Sequence, residues 1–139
     1  VGLTERLVNL GIPVMAHVGL TPQRINQLGL EQQGETAEAA AEIESLAETH
    51  QTAGAFSVVL EHVPDDVAAD ITDALSMPTI GIGAGDATDG QVLVVTDVLG
   101  LSERVPPFAE QFGDVEAEMR SAIEAYRDAV DDGSFPRDD

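Results

Sequence analysis

The chain has 139 residues, with 26 acidic side chains against six Arg and no Lys, and its formal net charge is −20. Such a surface repels nucleic acids and anionic membranes, so neither is expected as a partner. The absence of Cys excludes disulfides and thiolate chemistry. The chain contains no run of about 20 apolar residues, so no membrane span is predicted.

Strands and helices are predicted to alternate along the chain. Apolar runs without a polar alternation predict strands at about 12–18, 56–62, 78–83 and 91–98. A helix-like stretch opens the chain, and apolar residues at helical spacing predict helices over about 36–49, 64–75 and 114–131. This order is typical of parallel βαβ units, and four such units make half of a (β/α)₈ barrel. An open doubly wound sheet of four strands is the alternative.

Two polar side chains end apolar runs that otherwise read as buried strands. His17 follows the run 12–16, and Glu61 follows the run 56–60. In parallel sheets flanked by helices, ligands bind beyond the carboxyl ends of the strands. Both residues are therefore candidates for an active site.

Glu61 is the stronger candidate. A carboxylate directly after Val58-Val59-Leu60 loses hydration unless it is paired, and this loss makes it a stronger base. A salt bridge at the rim is the alternative, but six Arg leave few partners. A lone His17 is often merely hydrogen-bonded, and Glu61 on the next strand strengthens its case. His62 is expected to point away from the interior because strand neighbours alternate, and His50 is expected at the surface.

Two further features have more than one interpretation. Asp97 ends the last apolar run and is either a ligand-facing acid or a helix-capping group. The run Gly81–Gly85 reads G-x-G-x-G rather than G-x-G-x-x-G, and no clear helix follows it. We therefore expect a tight bend or a close backbone approach rather than a dinucleotide site. The sequence contains no H-x-x-x-H motif and no Cys pair, so no zinc site is predicted.

Several strings along the chain resemble the ketopantoate hydroxymethyltransferase family. They are His17-Val18-Gly19-Leu20-Thr21-Pro22-Gln23, Leu60-Glu61-His62-Val63-Pro64, Ile80–Gly85 and Thr88-Asp89-Gly90-Gln91. The stretches around Pro106, Phe108 and Phe112, and the end Gly133-Ser134-Phe135-Pro136, are similar too. The likeness covers nearly the whole chain, in order.

The resemblance implies a (β/α)₈ TIM barrel in which residues 1–139 form the C-terminal half, strands five to eight, with 131–139 as a frayed tail. It implies transfer of a hydroxymethyl group from 5,10-methylenetetrahydrofolate to 3-methyl-2-oxobutanoate, which gives 2-dehydropantoate for pantothenate synthesis. An Mg²⁺-bound keto acid would lose its C3 proton, and the enolate would attack the one-carbon unit. Glu61 matches the general base, and His17 matches a histidine that lines the substrate pocket.

The resemblance also implies what this chain lacks. In the family, the metal-binding acids and the lysine and serine that contact the keto acid come from the first four strands. No metal ligand is therefore expected in this chain, and Asp97 is not a substitute. The first residue is Val1 rather than Met, which is compatible with a fragment. Asp86 stands where the family commonly has Asn. A cytoplasmic homo-oligomer is expected.

Two other functions stay open on the sequence. A half-barrel could be a non-catalytic assembly module that pairs through its open sheet edges. Another enolate-forming barrel enzyme with a different keto acid is a weaker alternative.

The acidic composition has three possible explanations. A disordered chain is disfavoured, because 43% of the residues are hydrophobic and well patterned. A nucleic-acid mimic would not need such clear strands. A protein of a high-salt cytoplasm is favoured, because molar salt shortens the Debye length to about 3 Å and suppresses self-repulsion.

The high-salt hypothesis makes a direct prediction. The free energy of unfolding of the complete protein should rise from low to molar KCl, because screening relieves repulsion among the acidic side chains. Chemical unfolding followed by circular dichroism at each KCl concentration measures this. Stability that stays level or falls with KCl would contradict the hypothesis.

Overall fold

The computed structural model describes residues 1–21 and 31–137, which form two compact units, Val1–Val92 and Leu93–Asp139. The first unit contains α1 (Gly2–Asn9), β1 (Met15–Gly19), α2 (Ala37–Thr52), β2 (Ser57–Glu61), α3 (Asp65–Ala74), β3 (Thr79–Ile82) and β4 (Gly90–Gln91). The second unit contains α4 (Val95–Val98) and α5 (Val115–Asp131). Pro22 and Gln23, which belong to the first resemblance string, lie outside the described residues.

The first unit is built on a parallel sheet with the strand order β1-β2-β3-β4. Each strand lies beside the next one in the chain, so right-handed connections place the intervening helices on one face. A doubly wound sheet needs a reversal of strand order, and these four strands show none. The predicted α/β fold with a parallel sheet is confirmed, and its first three strands lie where the apolar runs placed them.

The fourth predicted strand, 91–98, is wrong over most of its length. β4 ends at Gln91, and the β-branched run that follows contains the short helix α4. Its turn is closed by hydrogen bonds from the Asp97 and Val98 N–H groups to the Val94 carbonyl oxygen, at 2.9 and 3.1 Å. A strand needs a paired neighbour to continue, and β3 ends at Ile82, directly before Gly83 with its φ of 60°. Tertiary pairing therefore overrides the local strand preference.

The core lies between the sheet and helices α2 and α3. Ala16, Val18, Val58 and Leu60 are at most 4% exposed and share the face that these helices cover. Ala47 of α2 and Ala68 and Ile71 of α3 pack against that face. Burying a side chain such as Leu60 contributes about 1.5–3 kcal/mol.

The link between β3 and β4, residues 83–89, contains no helix. Parallel strands ordinarily need a crossover of a dozen or more residues. Here the link lies against β3 itself, because a Cβ added at Gly81 would stand 2.6 Å from the Thr88 hydroxyl oxygen. The missing side chain at Gly81 thus makes room for a short return, and β4 follows without a helix.

Two side chains that the sequence analysis did not single out fasten the amino end of β3. The Asp89 carboxylate accepts hydrogen bonds from the N–H and hydroxyl of Thr79, at 2.8 and 3.1 Å, and Thr79 is fully buried. The Gln51 side-chain oxygen accepts hydrogen bonds from the N–H groups of Ser76 and Met77, at 2.7 and 2.9 Å. Side-chain oxygens therefore accept hydrogen bonds from the backbone N–H groups just before and at the start of β3.

The second unit is dominated by the helix α5. Asp114 precedes it and accepts a hydrogen bond from the Ala117 N–H at 3.1 Å, as N-cap residues do. None of the residues of α5 is buried. Within the described part of the tail, the Phe135 ring meets the Tyr126 ring edge-on, with 5.6 Å between centroids. Residues 138–139 lie outside the description, and the frayed tail over 131–139 stays a prediction.

None of the helices in the described ranges has the length and apolar character needed to cross a membrane.

Removing the Asp89 carboxylate should destabilise the first unit. Asp89→Ala leaves the buried Thr79 N–H without its acceptor, which should lower the free energy of unfolding by about 1–3 kcal/mol. Asp86→Ala is the matched control, since Asp86 is exposed in the same link. Urea unfolding of the complete protein measures both. Equal losses in the two variants would contradict this role of Asp89.

Candidate active site

The parallel pairing of β1 with β2 brings the two predicted site residues together. Gly19 pairs with Glu61, and His17 pairs with Val59, two residues before Glu61. Residues two apart on a strand share a face, so His17 and Glu61 project from the same side of the sheet. Glu61 is the last residue of β2, as expected, whereas His17 lies within β1, which continues to Gly19.

The two side chains are in direct contact. His17 Nε2 lies 2.9 Å from Glu61 Oε2, and the side chains are 33% and 15% exposed. The contact is at ion-pair distance, but His17 Nε2 is buried and makes no well-aligned hydrogen bond to any described residue. A partly buried carboxylate next to an imidazole combines a proton acceptor with a group that donates or accepts, which suits acid–base chemistry.

The backbone of Glu61 is held from both sides. Its carbonyl oxygen accepts a hydrogen bond from the Leu20 N–H at 2.8 Å, and the next N–H, of His62, donates to the Ile82 carbonyl oxygen at 2.8 Å. On the β1 side, Gly19 has a φ of 87° and comes so close that an added Cβ would overlap the Glu61 carbonyl oxygen. The position from which the Glu61 side chain projects is therefore defined by both neighbouring strands.

The residue after Glu61 has an uncommon backbone conformation. His62 has a φ of 51°, which is the left-handed region that few residues other than Gly adopt. Its carbonyl oxygen accepts a hydrogen bond from the Gln33 N–H at 2.9 Å. Strained conformations of this kind cluster at functional sites. Regular alternation ends at Glu61, so it no longer dictates where the His62 side chain points, and that expectation stays a prediction.

The glycine run after β3 lies beside this turn and does not resemble a nucleotide loop. Residues 83–89 after the strand are bends and coil, whereas a dinucleotide fingerprint opens a helix there. A Cβ added at Gly85 would come within 2.8 Å of the Asp65 side chain at the start of α3. The expected close backbone approach is confirmed.

Two other candidates have hydrogen-bond partners of their own. Asp97, in the second unit, is 5% exposed, and its Oδ1 accepts a hydrogen bond from the Ser102 hydroxyl at 2.5 Å. That bond gives Asp97 a partner within its own unit. His50, which the sequence analysis expects at the surface, is partly buried, and its Nδ1 lies 3.0 Å from the Thr4 hydroxyl oxygen. Burial lowers the pKa of His50, so this imidazole favours its neutral form and links α2 to α1.

The part of the chain that the structure describes has no cluster of metal-binding side chains. No three His, Asp or Glu side chains there are grouped so that they could hold a metal ion. His17 and Glu61 together offer one nitrogen and one carboxylate, whereas Mg²⁺ prefers six oxygen ligands. These residues alone therefore do not make a magnesium site.

Comparison with known proteins covers nearly the whole chain. The sequence profile of the family described as "Ketopantoate hydroxymethyltransferase" matches residues 1–138. A protein of Halobacterium salinarum is 63% identical over 137 residues, which are 98% of this chain and 50% of that protein. One from Natronomonas pharaonis is 63% identical over 139 residues, 100% of this chain and 52% of its own length. One from a Picosynechococcus species is 52% identical over 132 residues, 95% of this chain and 50% of its own.

All three relatives carry the name 3-methyl-2-oxobutanoate hydroxymethyltransferase. The chain spans about half the length of these curated relatives.

Gly19 should be indispensable for the geometry of the site. Gly11→Ala places an alanine at a φ of 80° with open space around it, which should cost roughly 1–2 kcal/mol. Gly19→Ala adds the overlap with the Glu61 carbonyl oxygen and should cost at least about 1 kcal/mol more. Unfolding of both variants in the complete protein measures the difference. The same loss at both glycines would show that the close approach at Gly19 has no energetic weight.

Proposed function

The chain belongs to the ketopantoate hydroxymethyltransferase family, and we propose that it is the part of such an enzyme that carries the general base. The proposed reaction transfers a hydroxymethyl group from 5,10-methylenetetrahydrofolate to 3-methyl-2-oxobutanoate and gives 2-dehydropantoate. The observation that carries the proposal is the partly buried Glu61 carboxylate, which lies against His17 at the carboxyl end of a parallel strand.

Glu61 would remove the C3 proton of the keto acid. The electrons of the C3–H bond become those of the enolate, and the proton moves to a carboxylate oxygen of Glu61. C3 then forms a bond to the methylene carbon of the folate, both C–N bonds of that carbon break, and water supplies the oxygen of the new hydroxyl group. Tetrahydrofolate leaves, and its two nitrogens take the proton lost from C3 and the proton lost from water. The net change replaces C3–H with C3–CH₂OH. Burial to 15% exposure and a backbone held on both sides suit Glu61 to this step.

His17 would bind the substrate beside the base. Its Nε2 is buried against Glu61 and makes no aligned hydrogen bond within the described ranges, while a third of the side chain is exposed. A polar atom of this kind gains a partner when a ligand oxygen enters, which favours binding. This supports His17 as a pocket-lining group that orients the keto acid next to Glu61.

Mg²⁺ would stabilise the negative charge that develops on the keto oxygen. Among the described residues, no three His, Asp or Glu side chains are grouped so that they could hold it. We therefore assign its ligands to a part of the protein outside this chain. The roles of Glu61 and His17 are confined to proton transfer and binding.

The second face of the sheet supports a larger barrel around this chain. Met15 is 48% exposed, and Val59 and Ile80 on the same face are only partly buried. The strands lack polar alternation, so their sequences suit a sheet that is covered on both faces. We propose that the remaining strands of a (β/α)₈ barrel cover this face and that residues 1–139 form its C-terminal half. A cytoplasmic homo-oligomer adapted to high salt is part of the same proposal.

The base assignment is tested by exchange of the C3 proton. In the complete protein at high KCl, Glu61→Gln should still bind 3-methyl-2-oxobutanoate but exchange its C3 proton with solvent about 10²–10⁴-fold more slowly. NMR spectra of the keto acid in D₂O follow this exchange without the folate. Glu48→Gln is the matched control, because Glu48 is exposed on α2, and it should exchange at the wild-type rate.

Either of two results would overturn the assignment. Wild-type exchange in Glu61→Gln would remove Glu61 from the role of base. If Glu48→Gln lost C3-proton exchange as strongly as Glu61→Gln, the effect of Glu61→Gln would come from overall charge or folding rather than from the site.

A further inference from the structure

Gln91 lies at the end of β4 and is not part of the His17–Glu61 pair, yet it holds the loop that contacts the turn after Glu61. We propose that Gln91 is a positioning residue for Glu61 and acts through the glycine loop, residues 83–85, which follows β3. This inference rests on the proposed function of Glu61 as a base. Contacts lead from Gln91 to the loop, from the loop to the β2–α3 turn, and from the turn to Glu61.

The Gln91 carboxamide ties the glycine loop to β4. Its Nε2 group donates hydrogen bonds to the Gly85 carbonyl oxygen at 2.8 Å and to the Thr88 hydroxyl oxygen at 2.9 Å. The Thr88 hydroxyl in turn donates to the Gly90 carbonyl oxygen at 3.0 Å. One NH₂ group thus binds the link at two points, Gly85 and Thr88, and few side chains offer two donors in this geometry.

Gln91 reaches this position because Gly81 has no side chain. Gln91 pairs with Gly81 in the sheet, and a Cβ added at Gly81 would stand 3.1 Å from its Nε2 and 3.2 Å from its Oε1. The carboxamide therefore lies directly over β3. It is held by contact with the strand as well as by hydrogen bonds.

The opposite side of the glycine loop contacts the turn that follows Glu61. Asp65, the first residue of α3, packs against Gly85 so closely that an added Cβ would come within 2.8 Å of its side chain. At the other end of the turn, the His62 N–H donates to the Ile82 carbonyl oxygen at 2.8 Å. The segment 61–65 is thus braced at both ends by the end of β3 and its loop.

Without the Gln91 donors, the glycine loop would no longer be held in place. The segment 61–65, which contacts it, would then be held less firmly, and Glu61 could move. A displacement of about 1 Å at a reacting group costs up to about 10²-fold in rate. The Gln91 bonds are exposed to solvent, so their loss should affect stability little. A purely structural role predicts the reverse, with lower stability and an unchanged rate per folded molecule.

The test compares three variants of the complete protein at high KCl. Gln91→Met removes the donors at similar length, and Gln91→Glu keeps the shape of the side chain but removes both N–H groups. Gln51→Met is the matched control, because Gln51 also bonds loop backbone through its carboxamide, but at the amino end of β3. The measurements are C3-proton exchange, keto-acid affinity, thermal unfolding and amide hydrogen exchange of the segment 82–91.

Both Gln91 variants should lower C3-proton exchange at saturating keto acid by about 10-fold or more, with affinity and melting temperature little changed. Amide exchange in the segment 82–91 should become faster. Gln51→Met should lower the melting temperature and leave C3-proton exchange of the folded protein unchanged.

Wild-type C3-proton exchange in either Gln91 variant, combined with faster amide exchange in the loop, would overturn the positioning role. Unchanged amide exchange in both variants would overturn the brace itself. Failure of the proposed function gives a different result, since Glu61→Gln would then exchange the C3 proton normally, whereas the amide exchange of the Gln91 variants would still report on the loop.

Discussion

The parallel ladder that aligns Gly19, Glu61 and Ile82 is the constraint on which the candidate site depends. Hydrogen bonds from the Leu20 N–H to the Glu61 carbonyl oxygen, and from the His62 N–H to Ile82, extend that ladder past the end of β2. The backbone of a proposed base is therefore held on both sides before any substrate binds. Such preorganisation reduces the rearrangement that proton transfer would otherwise require.

Electrostatics place a second constraint on this site. The proposed substrate is an anion, and the chain that carries the proposed base has a formal net charge of −20. Repulsion of this kind is short-ranged only at high ionic strength, where the Debye length falls to about 3 Å. Within the site, the Glu61 carboxylate faces the His17 imidazole rather than another acid. High salt, a local imidazole and the proposed external Mg²⁺ would act together to admit an anionic substrate.

Glycine replaces a helix at one point of this fold. Residues 83–89 return from β3 to β4 along the strand, and the bare backbone of Gly81 and Gly85 lets Thr88, Gln91 and Asp65 approach. The return leaves backbone, rather than a helix, beside the turn after Glu61. Hydrogen bonds to its carbonyl groups hold such a stretch of backbone in position. A single carboxamide, that of Gln91, can therefore affect the position of the loop.

The sequence by itself determined the parallel α/β class, three of the four strand positions and the nearness of His17 to Glu61, because continuous apolar runs and strand-end polar residues are local signals. It did not determine that the run after Gln91 turns into α4, that His50 is partly buried against Thr4, or that Asp89, Gln51 and Gln91 fasten β3 and its loop. Only the tertiary structure decided these points. Each of these points depends on partners that the fold brings together: a paired strand, a carbonyl oxygen for a carboxamide, or the groups that bury an imidazole. Residue order alone does not specify those partners.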